Sequence, residues 1–218
     1  MTASKSSSSA ASAKTRIIAM LKADHKKVKT AFKDFEKIDP IEEEDAAQAL
    51  VSKTLSDLEI HATLEEQVFY PAARGAVKEE DLIDEAEVEH MTVKVLIQQL
   101  KSMQPDNEKF AATFKVLGEY VDHHVKEEEG EIFKQLAATG ADWSDVLERM
   151  QMQRAQLREQ MGLPPEDEEA APAGSTRASS ATRASPGMRS QPESRPQAAE
   201  SGSGSRSSKS TRSKSKDE

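Results

Sequence analysis

Four of the five histidines in the chain fall on faces of predicted helices that are otherwise apolar. Two of these four are followed, four residues later, by a glutamate on the same face. Residues at i and i+4 stand one above the other on a helix, so each pair can contact one ion. An ionised carboxylate is too costly to bury unless it is paired or bound to a metal. The pattern therefore predicts a metal site with six candidate ligands: His25, His61, Glu65, His90, His124 and Glu128.

The elements that position these residues are predicted to be helices, because apolar residues recur at spacings of three and four. In the first helix, Ile17, Leu21 and Val28 form an apolar stripe that also contains His25. Four long helices joined by short loops predict an all-α fold, an antiparallel up-down four-helix bundle. A fifth, C-terminal helix is expected to cover either the side of the bundle or a partner subunit. The predicted helices span residues 14–38, 43–74, 79–103, 107–138 and 143–161.

The position of each histidine along its helix tests the same hypothesis independently. His25 and His90 each lie about 13 residues before the end of their helix. His61 and His124 lie about 18 and about 17 residues after the start of theirs. At a rise of 1.5 Å per residue, these offsets place all four at a similar depth in an antiparallel bundle. The depth and the helical phase therefore agree.

The composition excludes several kinds of site. The chain has no cysteine, which rules out disulfides, thiolate metal sites and thiol nucleophiles. The glycines within 14–162 are isolated, so no glycine-rich phosphate-binding loop is present. No apolar run approaches the roughly 18 residues of a membrane span. Residues 1–13 lack the apolar core of a secretory signal. We expect a cytoplasmic protein that makes no membrane contact.

The charge distribution predicts three regions. Residues 14–162 carry 20 basic and 31 acidic side chains and form the predicted helical bundle. The flanking segments, 1–13 and 163–218, are predicted to be disordered because they have little apolar surface to bury. The second is a Ser/Arg-rich tail with nine Lys/Arg residues over 170–216. Either it is simply solvated, or it contacts nucleic acid or an acidic protein partner.

The donor set limits the metal. Six nitrogen and oxygen donors exceed the four of a structural zinc site, which indicates two ions or one generously coordinated ion. Imidazole combined with carboxylate suits iron, whereas magnesium or calcium would use oxygen ligands alone. A ferritin-like site, built on Glu-x-x-His, fits less well. Glu87 precedes His90 by three residues, but Val121 occupies the matching position before His124.

The residues around the two His-x-x-x-Glu pairs resemble those of the hemerythrin-like (HHE cation-binding) family. The resemblance covers roughly 16–138 and includes the single inward-facing His25 and His90. It implies a di-iron centre that is bridged by Glu65, by Glu128 and by an oxo or hydroxo group. It also implies that the four inward histidines are the terminal ligands. The two motifs are His61-Ala-Thr-Leu-Glu65-Glu66-Gln-Val-Phe-Tyr-Pro71 and His124-Val-Lys-Glu-Glu128-Glu129-Gly-Glu-Ile-Phe133.

One departure from the family pattern bears on function. On the third helix, oxygen-carrying hemerythrins place a second histidine one turn after the first. In this chain the first is His90, and Lys94 occupies the place of the second. The ion on that side then keeps an open position or takes an oxygen donor, either a nearby glutamate or a tyrosine. An open position favours access of water, peroxide or nitric oxide over simple oxygen carriage. The candidate donors are Glu66, Glu87, Tyr70 and Tyr120.

The remaining polar residues near the motifs are assigned outer roles. His123 is expected to be exposed, and Glu66, Glu127 and Glu129 to form a solvated face or to support the ligands.

Three functions are consistent with these residues. The first is a di-iron protein that meets O₂, peroxide or nitric oxide, with stress protection or sensing as its role and enzymatic turnover left open. The second is an iron-dependent regulatory module that acts through its basic tail. The third is a structural helical adaptor that dimerises through 143–161. A monomer and a dimer are both compatible with the sequence.

Overall fold

The computed structural model describes residues 3–166, with side chains from residue 13 onward, and every regular element in this part of the chain is helical. The all-α prediction is therefore confirmed for these residues. The elements fall into five continuous helical stretches, two of which contain a π-helical turn. They are α1 (Ala3–Phe35), α2 (Glu44–Leu64) with π1 (Glu65–Phe69) and α3 (Tyr70–Ala73), α4 (Asp81–Lys101), α5 (Phe110–Glu127) with π2 (Glu128–Ile132) and α6 (Phe133–Ala137), and α7 (Ser144–Gln160).

The two π turns were not predicted, and both begin at a candidate ligand. The N–H of Tyr70 donates to the carbonyl of Glu65, and the N–H of Phe133 donates to the carbonyl of Glu128. Each bond spans five residues instead of four, which widens the helix by one residue. Pro71 favours the first π turn because it has no N–H to donate to the preceding turn.

One boundary differs from the prediction. Helix α1 begins at Ala3, whereas the sequence predicted disorder over 1–13 and a helix start near residue 14. No glycine or proline interrupts this Ser/Ala-rich stretch, and alanine is the strongest helix former. The tail predicted at 163–218 lies outside the described residues, except for 163–166. Within that short piece, the carbonyl of Pro164 accepts hydrogen bonds from the Arg158 side chain at 2.8 and 2.7 Å.

The buried apolar side chains form two clusters. One contains Leu21, Leu64, Ile83 and Ile132, and the other contains residues such as Val28. Along each of the four long helical stretches, the candidate histidine lies between the members of the two clusters. The histidines therefore occupy a polar layer between two apolar ones.

Helix α7 packs on α1, α2 and π1. Leu147 and Met150 of this helix, with Trp143 directly before it, belong to the cluster that contains Leu21. Of the two predicted alternatives for this helix, the structure shows the one in which it covers the side of the other helices. None of the described helices is long and apolar enough to span a bilayer.

Candidate metal centre

Four histidines from four different helices meet in pairs at the polar layer. His25 of α1 faces His61 of α2, with 3.1 Å between their Nε2 atoms. His90 of α4 faces His124 of α5, with 3.2 Å between their Nε2 atoms. All four side chains are buried. The helical phase inferred from the sequence therefore directs them into one layer.

The two predicted glutamates lie between these pairs. Glu65 Oε1 is 3.1 Å from Nε2 of His61, and Glu65 Oε2 is 3.4 Å from Nε2 of His90. Glu128 Oε2 is 3.2 Å from Nε2 of His25. Both carboxylates are at most 1% exposed. One carboxylate, Glu65, thus touches both histidine pairs.

A ring of outer carboxylates orients the imidazoles. The Nδ1 atom of each histidine bonds to an acidic residue from a neighbouring helix. Such bonds fix the ring orientation and leave Nε2 as the atom that points to the centre. The pairs are His25 with Glu129 at 2.9 Å, His61 with Asp24 at 3.3 Å, His90 with Glu66 at 3.0 Å, and His124 with Glu89 at 2.9 Å.

Supporting roles for Glu66 and Glu129 are predicted from the sequence, but those of Asp24 and Glu89 are not. A signal was present, since each of the four acids directly adjoins a candidate ligand in the chain. Asp24 precedes His25 but binds His61 of the next helix. Adjacency to a candidate ligand therefore identifies the acid, but it does not predict which histidine the acid binds.

The acids and histidines of the centre shift one another's pKa values. Burial opposes protonation of His61 and His90, but Glu65 and the outer acids outweigh it and raise both pKa values, that of His90 to about 9. Burial likewise opposes ionisation of Glu65, yet His61 and His90 hold its pKa well below the usual value. Burial and the neighbouring Glu65 raise the pKa of Glu128. Without a cation, the centre holds protons in its place.

The donor set fits metal ions better than it fits protons. Glu65 and Glu128 face histidine nitrogens at 3.1–3.4 Å, yet none of their oxygens makes a well-aligned hydrogen bond within the described residues. When Nδ1 donates its proton to an outer acid, the neutral imidazole presents a lone pair at Nε2. The facing Nε2 atoms of each pair would then repel unless a cation lay beside them. Buried polar atoms are normally satisfied, so these groups indicate a ligand.

The donors divide into two groups that share one residue. His25, His61, Glu65 and Glu128 present donor atoms within 4.8 Å of one another, and so do Glu65, His90 and His124. The structure thus brings all six predicted side chains together, as four donors on one side and three on the other.

The other candidate donors differ in their placement. Glu66 turns to His90 Nδ1 and to Lys94, 2.6 Å from its Nζ, instead of the centre. Glu87 pairs with Arg74 at 3.0 Å on the surface. In this structure Lys94 and Arg74 hold these two carboxylates away from the centre. Tyr120 is 44% exposed.

Tyr70 is the one candidate oxygen donor that is buried at the centre. Its ring centroid lies 5.6 Å from that of His90, and its hydroxyl has no hydrogen-bond partner among the described residues. Burial, together with the nearby Glu65 and Glu128, raises the pKa of its phenol well above the usual value. The hydroxyl therefore stays protonated and uncharged beside the donor group formed by Glu65, His90 and His124.

A small cavity of about 20 Å³ adjoins the four histidines. This volume accommodates about one water-sized molecule. Apart from the histidines, its walls are apolar, formed by Val28, Leu58, Ala62, Val93, Val121 and Val125. A small uncharged molecule is the ligand that such walls favour.

Comparison with known proteins agrees with the sequence resemblance. The family described as "Hemerythrin HHE cation binding domain" matches residues 16–136, more than half of the chain. A protein named "DNA nickase" from Nostoc sp. (strain PCC 7120 / SAG 25.82 / UTEX 2576) is 29% identical over 114 residues. The match covers 52% of this chain but only 31% of that protein. No solved structure matches the chain.

Proposed function

The chain belongs to the hemerythrin HHE cation-binding domain family, and from this premise we propose that its buried centre holds two iron ions. We further propose that the centre meets O₂ or a related small molecule such as peroxide or nitric oxide. Its role would be protection against, or sensing of, oxidative or nitrosative stress. The observation that supports a pair of ions is Glu65, whose two oxygens face different histidine pairs.

Iron is the metal that this donor set and cavity favour. The six donors are imidazole nitrogens and carboxylate oxygens, a combination that suits iron and excludes a site built for calcium or magnesium. Bound iron would supply the redox chemistry that O₂ and peroxide require. The chain itself would orient the imidazoles through the outer carboxylates and exclude bulk water from the layer.

The unequal donor groups support access of a small molecule to one side. The group formed by Glu65, His90 and His124 has one donor fewer than its neighbour. Tyr70 lies beside it with a protonated hydroxyl that can donate a hydrogen bond. A small molecule in the adjoining cavity would therefore meet an incompletely ligated ion on one side and apolar walls on the other.

We also infer the antiparallel up-down arrangement of the four long helical stretches. The two apolar clusters alternate in their order along these stretches. Residues of the Leu21 cluster precede the histidine in α1 and α4, whereas, apart from Ile60, they follow it in the stretches that start with α2 and α5. Helices that alternate in direction produce this pattern.

The proposal is tested by adding Fe²⁺ to metal-free protein under nitrogen and then admitting air. We expect about two irons per chain and a ligand-to-metal charge-transfer band in the near ultraviolet. Glu65→Gln, which keeps the shape but loses a charged donor, should lower both. A colourless protein that retains no iron after desalting would refute the proposal. Peroxide consumption no faster than that of free iron would refute the enzymatic version alone.

A second candidate function is an iron-dependent module that acts on DNA through the basic tail. Its support is the nine Lys/Arg residues over 170–216 together with the similarity to a protein named as a DNA nickase. Binding of a short duplex at several salt concentrations, with the full chain and with a chain ending at residue 166, tests it. Equal affinities for the two chains would exclude the tail from DNA contact. Full-length protein that leaves supercoiled plasmid intact would exclude nicking.

A further inference from the structure

Two adjacent histidines of α5 point in opposite directions. His124 is buried at the centre, whereas the side chain of His123 is 62% exposed. On the surface, Nε2 of His123 lies 3.2 Å from Glu127 Oε1 of the same helix. It also lies 3.3 Å from Glu89 Oε1 of α4. Three potential metal ligands from two helices therefore converge outside the buried layer.

These separations suit a transition-metal ion. Imidazole and carboxylate ligands bind such ions at about 2.0–2.2 Å. At the angles of octahedral or tetrahedral coordination, neighbouring donor atoms are then about 2.8–3.6 Å apart. Both distances from His123 fall in that interval. One nitrogen and two carboxylates favour Fe²⁺ or Mn²⁺ over the hard cations that require oxygen ligands alone.

The surface trio is linked to the buried centre. Glu89 uses its other oxygen, Oε2, to accept a hydrogen bond from Nδ1 of His124 at 2.9 Å. A cavity of about 10 Å³ is lined by Glu89, Glu127, His124 and Glu128 and, on its apolar part, by Leu82, Ala86 and Ile132. Glu128 is fully buried there, and neither of its oxygens has a hydrogen-bond partner among the described residues. Two carboxylates of the outer trio, Glu89 and Glu127, thus line the same cavity as Glu128, a candidate ligand of the centre.

We propose that Glu89, His123 and Glu127 form an outer cation site that captures Fe²⁺ and delivers it to the buried centre. This inference rests on the proposed function, because it assigns the route by which the same centre is loaded. Three carboxylates along one short path attract a divalent cation and raise its local concentration. His123 supplies a nitrogen ligand that holds the ion at the surface until it moves inward to Glu128.

The experiment compares loading rates of the full-length chain. Metal-free protein is mixed with Fe²⁺ under nitrogen, loading is stopped at timed intervals with a chelator, and retained iron is counted. We expect His123→Ala and Glu127→Gln to slow the initial rate about tenfold or more and to leave the final iron content unchanged. Glu119→Gln, which removes an exposed charge elsewhere on α5, is the matched control and should load like the unaltered protein. Glu89 is left intact because it also orients His124.

The final iron content tests the buried centre, and the initial loading rate tests the outer site. Absence of retained iron in every protein would refute the buried centre, and with it the outer site. Normal final content with equal rates in all four proteins would overturn the outer site alone. A lower final content in the His123 or Glu127 variant would also overturn it, because those side chains would then belong to the centre itself.

Discussion

Replacement of Glu128 by leucine is expected to stabilise the metal-free protein and to weaken its response to metal. Glu128 is fully buried, lies 3.2 Å from Nε2 of His25, and shares a donor group with the second buried carboxylate, Glu65. Burial and Glu65 raise its pKa although His25 opposes them, so in the absence of metal the desolvation cost of this side chain exceeds what its contacts return. Leucine has a similar volume and carries no polar atom that must be desolvated.

The expected magnitude follows from what replacement of buried ionic groups achieves in other proteins. Replacing a whole buried ion pair by apolar groups stabilises a protein by about 1–4 kcal/mol. Loss of the contact between Glu128 and His25 offsets part of this gain, so we expect the low end of that range. For a domain of this size, each kcal/mol raises Tm by about 2–4 °C. With Fe²⁺ at a hundredfold excess over Kd, the unaltered protein should gain about 2.7 kcal/mol. Glu128→Leu should gain less, because it lacks a donor from the four-residue group.

The assay is thermal and urea unfolding of both proteins, with chelator and then with Fe²⁺ under nitrogen. Glu131→Leu is the matched control, since this glutamate is exposed on the same π turn and should change stability by no more than about 0.5 kcal/mol. A metal-free Glu128→Leu protein that is less stable than the unaltered chain would contradict the reasoning. So would an unchanged stabilisation by Fe²⁺.

Three further predictions concern the surroundings of the centre. Arg154 is buried and donates to Asp24 at 2.9 Å, and Asp24 in turn accepts from His61. Arg154→Ala should therefore lower the free energy of unfolding in urea by about 2–3 kcal/mol and lower metal affinity about tenfold or more. An unchanged affinity in chelator competition would show that Asp24 positions His61 without the guanidinium. The pKa of His90 is raised from 6.5 to about 9, so its protonation stabilises the metal-free protein fully below pH 6.5, and this stability is lost as pH rises through about 9. Metal affinity should increase over the same interval because the ion displaces that proton, and a pH-independent affinity would contradict the shift. Val93→Ile should fill the cavity of about 20 Å³ and slow binding of nitric oxide to the iron-loaded protein; an equal rate at equal iron content would place access elsewhere.

Much of the centre could be predicted because helical phase is a local property. His61 and Glu65 are four residues apart, so any helix through them presents both on one face. The apolar neighbours of His25, Leu21 and Val28, are likewise read from spacing alone. The six side chains that the sequence singled out are the ones that the structure brings together.

The outer carboxylates could not be assigned in the same way. Asp24 and His61 are 37 residues apart, and Glu129 and His25 are 104 apart. The sequence also allows Glu66 as an oxygen donor to the centre, but its two cationic partners, His90 and Lys94, lie on α4. Which partner an acid meets depends on how two helices rotate about each other, and no spacing within one helix contains that information.

The sequence by itself determined the helices, the six residues that face inward, and their common depth, because each follows from periodicity and rise along a single helix. Only the tertiary structure decided that Glu65 contacts both histidine pairs, that the acids form a ring around them, and that α7 closes the side of the helices. These features arise from contacts between residues far apart in the chain. Their geometry is set by packing of the two apolar clusters above and below the polar layer, which holds the helices at one separation and one rotation.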